Sequence, residues 1–489
     1  MTVLFNFRHF CSGAALAIAT LAAVGACAKP SADIVDTTGP TVAGPITGGS
    51  KGWIYRSPVL DPEALGYVIE EYFVSGDAHS YRFAEGAEAQ FDGAWSTEID
   101  ETAPFTTRIF VLRPSDPQDY NGVLLAHWQN VSAGYENGWP SGDEIFSGYA
   151  WMAVSAQYNG IYGTPASRPY SLVEWDAERY GSLEHPGDAF SYDIFAQSVS
   201  AALSASQDGA EGPLADLETD AVIAVGGSQS ALRLASYINA AHQHDQLFDG
   251  FLLLAHFGIA SPLNELSLPE LFDAANGGAN AYWTQINAPE DAPVLVIDTQ
   301  AESLTHYAAR QSDDESYRLW EIAGAPHTPP STIGAKMLAS ERDGIDDEPP
   351  TGRNVVEWDY VKDAGIRYIA RWAKTGEAPP AFERIAIDAT SGRPQYVLDE
   401  FGNVEGGIRL PELEAVTGTH SAGWPQATLL GTSELFDVAR MLDIHGSREA
   451  FLERWNATID ELLAVGLILP TQAVAESERA LDYFPESAE

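Results

Sequence analysis

The stretch that most restricts the fold is residues 221–234, where an apolar run passes through small residues into a helical repeat. Ala221-Val222-Ile223-Ala224-Val225 has the unbroken apolar character of a strand buried on both faces. Leu232, Leu234, Tyr237 and Ile238 then recur at helical spacing. Between them lies Gly226-Gly227-Ser228-Gln229-Ser230. A strand that turns straight into a helix crowds its tip, so the flanking residues need little or no side chain. A serine at the tip is held out above the sheet, and the N–H groups opening the helix face whatever it attacks. The pentapeptide reads as a G-x-S-x-G nucleophile elbow with Ser230 in place of the last glycine. Small-residue turns also cradle phosphates, so the reading depends on partners elsewhere in the chain.

A serine hydroxyl is not ionised at neutral pH and needs a base within reach and a third group to orient that base. On a strand–elbow–helix fold the chain order is serine, acid, histidine. Pro293-Val294-Leu295-Val296-Ile297 reads as a strand, and the loop after it supplies Glu302. Asp298 competes, but it sits at the strand end where a cap or turn residue is equally expected, so Glu302 is preferred. The strand at residues 317–322 leads into Ala323-Gly324-Ala325-Pro326-His327, which puts one of eleven histidines in the required slot. His127 and His256 end inner strands, where they can line a pocket. The oxyanion of an acyl-transfer step needs a second donor besides the Gln229 N–H, drawn from the loop Trp128-Gln129-Asn130-Val131-Ser132-Ala133-Gly134. Gln129 and Asn130 are both candidates, and sequence does not choose between them.

Seen from its ends, the 489-residue chain divides into three parts. Residues 1–26 carry Arg8, no acid and an apolar segment from Ala14 to Val24, the pattern of an export signal. Val24-Gly25-Ala26-Cys27 resembles a bacterial lipobox, in which Cys27 is acylated; cleavage and release is the alternative. The expected location is periplasmic or outer-membrane, with membrane attachment through Cys27, or else secreted. Residues 27–52, rich in Pro, Gly, Ser and Thr, read as a flexible tether, with order beginning near Trp53. Residues 53–489 form the folded domain. Cys11 and Cys27 are the two cysteines, so the domain has no disulfide, thiolate metal site or cysteine nucleophile. A formal charge of −44, from 70 acids against 26 bases, argues against nucleic acid as a partner.

Short buried strands alternate with helical or loop segments from residue 122 to residue 322, the pattern of a doubly wound, mostly parallel sheet. Two further strands are expected at 66–74 and 105–112, giving eight. In the tail, residues 355–372 and 435–463 read as helical, and residues 396–399 are expected to pair with 408–410 across Gly402-Asn403. Glu184-His185-Pro186-Gly187-Asp188 holds one histidine and two carboxylates but lacks a second histidine, so it is taken as structural, with Asp188 capping a helix. No metal or cofactor is expected.

These residues together resemble a family, the bacterial serine-type α/β hydrolase domain proteins, over roughly residues 60 to 480. The likeness is carried by Gly66-Tyr67-Val68-Ile69-Glu70-Glu71-Tyr72, residues 108–114, Trp128-Gln129-Asn130-Val131, Trp175-Asp176 with Arg179-Tyr180-Gly181-Ser182-Leu183, and His185-Pro186-Gly187-Asp188. Ser228-Gln229-Ser230-Ala231, Glu321-Ile322-Ala323-Gly324-Ala325-Pro326-His327 and Gly406-Gly407-Ile408-Arg409-Leu410-Pro411 complete it. The resemblance implies the α/β-hydrolase fold, an eight-stranded mostly parallel doubly wound sheet with C-terminal helical additions, and hydrolase chemistry. It implies no substrate. The family usually has aspartate where this chain has Glu302, and often glutamate where it has His127. The expected function is an exported carboxylic-ester hydrolase acting on a small-molecule ester through a Ser228–Glu302–His327 triad. The alternative is a lipid-anchored binding protein that keeps the shape without turnover. Trp128, Tyr135, Trp139 and Phe257 are expected on the catalytic side, where they line the pocket or pack the core.

Overall fold

The computed structural model describes residues 39–138, 142–207, 212–264, 283–347, 353–423 and 428–484. The expected signal segment 1–26, Cys27 and Trp139 lie outside them. Among the described residues no helix is long and apolar enough to cross a membrane.

The eight expected strands all occur, and a ninth precedes them. They are β1 (Thr41–Ala43), β2 (Tyr67–Phe83), β3 (Thr97–Pro114), β4 (Val123–Trp128), β5 (Ala150–Val154), β6 (Ala221–Gly227), β7 (Gly250–Leu254), β8 (Val294–Thr299) and β9 (Tyr317–Ile322). One sheet runs in the order β1-β2-β3-β5-β4-β6-β7-β8-β9. Strands β5, β4, β6, β7, β8 and β9 are parallel, and β1, β2 and β3 join antiparallel beside β5.

Alternation along each central strand builds a core on both faces. Ile223 and Val225 of β6 pack with Leu252, Ile297 and Trp320 against Val361, Ala364 and Ile369 of the helix Asp359–Thr375. Val222 and Ala224 face the other way, with Leu253 and Val296, toward Phe195 and Val199 of the helix Ser191–Gln207 and Leu234 of the helix Gln229–Ser236. A strand covered on both sides has no reason to alternate apolar with polar, which is why β6 reads as a continuous apolar run.

The tether ends earlier than its composition suggests. β1 pairs with β2, and the Ile46 N–H donates to Glu71 O at 2.7 Å. Arg179 donates to Gly48 O at 2.6 Å and Ile46 O at 2.9 Å, and Asp176 accepts the Ser50 and Lys51 N–H groups at 3.0 and 2.9 Å. Backbone groups make these contacts, so no side-chain pattern announces them. The same Arg179 and Tyr180 meet Glu71 at 2.6 and 2.9 Å, and Arg108 pairs with Glu71 and Glu136. Three of the family segments therefore converge on one buried ion network that ties β2, β3 and the segment following β1 together.

The tail corrects two further expectations. Residues 435–463 are not one helix: a strand, Thr432–Leu435, precedes the helices Val438–His445 and Arg448–Ala464, which are split at Gly446 with φ 80°. Across the turn at Gly402, Leu398 bridges Val404, whereas Ile408 lies parallel to Ile322 and extends the sheet beyond β9.

Candidate active site

Strands β4, β6, β7, β8 and β9 end on one edge of the sheet, where sites form in parallel α/β folds, and the loops leaving them meet around Ser228. Ser228 has φ 54° and ψ −121°, a region that costs a non-glycine residue about 1–3 kcal/mol. Bonds on both sides hold it there. Its N–H donates to Leu254 O at the end of β7 at 2.8 Å, and its carbonyl accepts the Ala231 and Leu232 N–H groups at 2.9 and 3.2 Å. A Cβ on Gly226 would lie 2.8 Å from Ser230 O and 3.1 Å from Ala231 N, so only glycine lets the helix cross so close to the strand. Ser230 fits the elbow's last position and braces it, its Oγ accepting from the Gly227 N–H at 2.9 Å and donating to Gly227 O at 3.0 Å.

The acid is set by a capping box. Thr299 caps the helix Gln300–His306, its Oγ1 accepting the Ala301 N–H at 3.1 Å. Glu302 reaches back, its Oε2 accepting from the Thr299 N–H and hydroxyl, both at 2.8 Å. With one oxygen so fixed, Oε1 meets His327 Nδ1 at 2.6 Å, and His327 Nε2 lies 2.9 Å from Ser228 Oγ. A carboxylate at Nδ1 keeps the proton on that nitrogen and leaves Nε2 to accept from the serine hydroxyl. The His327 loop is itself braced: its N–H donates to Leu429 O at 2.9 Å, and Trp358 Nε1 donates to Pro326 O at 2.9 Å.

Asp298 is not part of this chain of contacts. Fully buried, it accepts the His256 N–H at 2.7 Å and pairs with His306 Nδ1. Of the two oxyanion candidates, Asn130 forms part of the cleft wall beside Ser228 and His327, and its Nδ2 donates to Gly227 O at 2.8 Å. Gln129 does not reach the cleft. It is 1% exposed, and its N–H is bonded to Val154 O at 3.1 Å. Gln229 opens the helix after Ser228, where the first N–H groups have no intrahelical acceptor.

Ser228 and His327 line an open cleft of about 270 Å³ whose wall also carries His127, Ser132, Asn137, Thr328, Thr332, Lys336, Trp358 and Lys362. The cleft is more polar than the expected aromatic set. Trp128 is buried, with Nε1 on Gln157 and its ring against Phe195, and Tyr135 donates to Asp347 in a separate cluster. Phe257 does stand at the site, its ring 5.4 Å from that of His327. His127 lines the cleft with its ring stacked on Trp151, and burial lowers its pKa to about 3. His256 is instead buried against His306. The Thr-x-x-Glu spacing from Thr299 is itself a sequence signal for Glu302. Nothing local to the sequence marks Lys336 or Asn137.

Side chains of the Glu184–Asp188 region are engaged in contacts within the protein. His185 Nε2 meets Ala156 O at 2.9 Å and Nδ1 accepts the Gly187 N–H at 3.2 Å. Asp188 pairs with Arg233 at 3.1 Å, accepts the Tyr158 N–H at 2.8 Å, and is the first residue of the short 3-10 turn Asp188–Phe190, with Gly187 in the cap position. Among the described residues no group of three or more His, Cys, Asp or Glu side chains converges as a metal site would.

The chain is similar to several solved structures. Esterase Est22 is 14% identical, covering 57% of this chain and 78% of that one, with TM-score 0.30. Acetyl xylan esterase 1 from Thermoanaerobacterium sp. JW/SL YS485 is 9% identical, covering 55% and 88%, with TM-score 0.26. Prolyl oligopeptidase B from Galerina marginata is 11% identical, covering 57% and 44%, with TM-score 0.25. No curated protein sequence matches the chain. The profile of one family, described as alpha/beta hydrolase domain, matches residues 42–478, nearly the whole of the described fold. With that match, its strand–turn–helix elbow and its doubly wound sheet, the chain belongs to the alpha/beta hydrolase domain family.

Proposed function

We propose that the protein is a serine ester hydrolase working through an acyl-enzyme, with Ser228 as nucleophile, His327 as base and then acid, and Glu302 orienting the imidazole. The observation that carries the reading is the unbroken run from Ser228 Oγ to His327 Nε2 at 2.9 Å and from His327 Nδ1 to Glu302 Oε1 at 2.6 Å, at the wall of an open cleft. Ser228 Oγ attacks the ester carbonyl carbon while its proton passes to His327 Nε2. The oxyanion is received by the Gln229 N–H and by Asn130. Collapse breaks the bond to the alcohol oxygen, which leaves with the proton from His327. Water then adds to the acyl group on Ser228, again giving its proton to His327, and the carboxylic acid departs as Ser228 recovers its proton. The extra methylene of Glu302 relative to an aspartate is taken up by its anchorage on Thr299.

Ser228→Ala tested against short-chain 4-nitrophenyl esters decides the matter: turnover is expected to vanish, and turnover kept at the wild-type rate would remove Ser228 from the chemistry. The reading extends to export, with residues 1–26 as signal and Cys27 as the acylated anchor. Incorporation of labelled palmitate by the full chain and its loss in Cys27→Ser is the expected pair of results. Equal labelling of both would refute the anchor.

A further inference from the structure

The cleft departs from the charge balance of the rest of the chain. Acids outnumber bases 70 to 26 overall, yet among the described residues the chamber around Ser228 is lined by two lysines and by no aspartate or glutamate. Lys362 is already neutralised, with Nζ 2.9 Å from Asp359 Oδ1 and 3.9 Å from Asp363 Oδ1. Lys336 is different. Among the described residues its ammonium has neither an ion-pair partner nor a hydrogen-bond acceptor.

Lys336 lies on the helix Pro330–Asp343, which begins three residues after His327. Thr332, Ala335, Lys336 and Ala339 share the face of that helix turned to the cleft. Lys336, with Asn137 and Gly138, lines both the Ser228 chamber and a second one of about 190 Å³, and so marks where the two adjoin.

A second cation faces the same space. Arg56 lines the second chamber and is 1% exposed. Its terminal nitrogens donate to Ser340 Oγ at 2.9 Å and Asn137 O at 3.0 Å, and its Nε has no partner. The two cations are close enough to act on each other. The Lys336 pKa is lowered chiefly by burial and further by Arg56, with Asp347 opposing. Asp347 is engaged elsewhere, its oxygens accepting from Tyr135 at 3.2 Å and Ser340 at 2.6 Å. Asp143, the one acid among the described residues of the second chamber's wall, has no ion pair with either cation. Two cations partly withdrawn from water, neither in direct ion-pair contact with an acid among the described residues, are costly to the fold, and facing one space they match an anion.

We propose that the cleft selects esters that also carry a carboxylate, with the scissile carbonyl at Ser228 and the carboxylate received by Lys336 and Arg56 where the chambers meet. The proposal rests on the hydrolase reading and names its substrate class. A monoester of a dicarboxylic acid carries both groups, whereas the diester lacks the charge. Hydrolysis of monoethyl adipate takes up one water and releases ethanol, adipate and one proton, so no further reactant is needed.

The test compares monoethyl adipate with diethyl adipate. Wild type favours the monoester in kcat/KM, Lys336→Gln lowers that preference by about tenfold or more, and Lys336→Arg restores most of it because the charge is kept. A preference unmoved by Lys336→Gln overturns the proposal. Calorimetry gives a readout that needs no turnover: Ser228→Ala binds monoethyl adipate, and adding Lys336→Gln weakens binding by about tenfold or more. Equal affinity, or no binding by Ser228→Ala, also overturns it. Failure of wild type to hydrolyse either ester while this binding difference stands counts instead against the hydrolase reading.

Discussion

Glu302–His327 and Asp298–His306 are two acid–histidine pairs drawn from carboxylates four residues apart, and only one of them faces a serine. In both, a fully buried carboxylate meets the Nδ1 of an imidazole. They differ in what lies on the far side of the ring. His327 is 13% exposed, opens on the cleft, and turns Nε2 to Ser228. His306 is closed in against His256 and Gly258, where a Cβ would fall 2.6 Å from the His306 ring. Asp298 uses its other oxygen to hold the His256 N–H, in a turn where Ala255 and Phe257 have φ 54° and 70°. That turn follows Leu254, whose carbonyl receives the Ser228 N–H. The second pair thus braces the backbone on which the first depends. An acid beside a histidine is not a catalytic signature until access and a third partner are supplied.

Substituting the two histidines separates the pairs most widely. His327→Ala is expected to lower kcat by about 10⁵-fold or more on a 4-nitrophenyl ester, whereas His306→Ala acts mainly through stability and changes kcat by less than about tenfold. Equal losses of kcat in two folded variants would erase the distinction. The acids sharpen it. Glu302→Gln lowers kcat by about 10⁴-fold, because an amide no longer holds the imidazole in the required tautomer. Asp298→Asn lowers unfolding free energy in urea by about 3 kcal/mol, as expected when one member of a buried pair is removed.

How far these residues could be read in advance follows from where each signal lies. Ser228, Glu302 and His327 each sit just past an apolar run that ends in small or capping residues, so local composition and chain order were enough to find them. Asn130 and Gln129 are neighbours in one loop with similar side chains, and only the Val154 carbonyl that takes the Gln129 N–H separates them. β1 escaped notice because a three-residue edge strand is held by its backbone, and the segment after it by Arg179 and Asp176, which lie more than a hundred residues away. Lys336 was invisible for the opposite reason. Its spacing is that of any surface lysine on a helix, and its meaning comes from what fails to pair with it.

Smaller effects probe the surroundings of each pair. Asn130→Ala is expected to reduce kcat by about 10²-fold with little change in KM, and Gln129→Ala by clearly less. The reverse order would return the oxyanion role to Gln129. Around the second pair, burial chiefly, with His306 adding to it, pushes the His256 pKa down to about 3. The unfolded chain therefore binds a proton that the folded one does not, from about pH 6.5 downward. The stabilisation from neutral His256 is complete above that value and is lost as pH falls toward 3. Asp245, Glu476 and Asp363, raised by burial to about 7, 7 and 6, pull the whole-protein profile the other way, so the informative quantity is a difference. The stability advantage of wild type over His256→Gln is expected to shrink by about 1.4 kcal/mol per pH unit between pH 6 and 4. A constant advantage would mean that His256 is not held neutral by the fold.

The most direct test is intact-mass analysis after treatment with a fluorophosphonate, which labels only an activated serine. One adduct per chain, mapped to the peptide containing Ser228, abolished in Ser228→Ala and greatly slowed in His327→Ala but not in His306→Ala, is the expected result. An adduct on another serine, or labelling of Ser228→Ala at the wild-type rate, would contradict it.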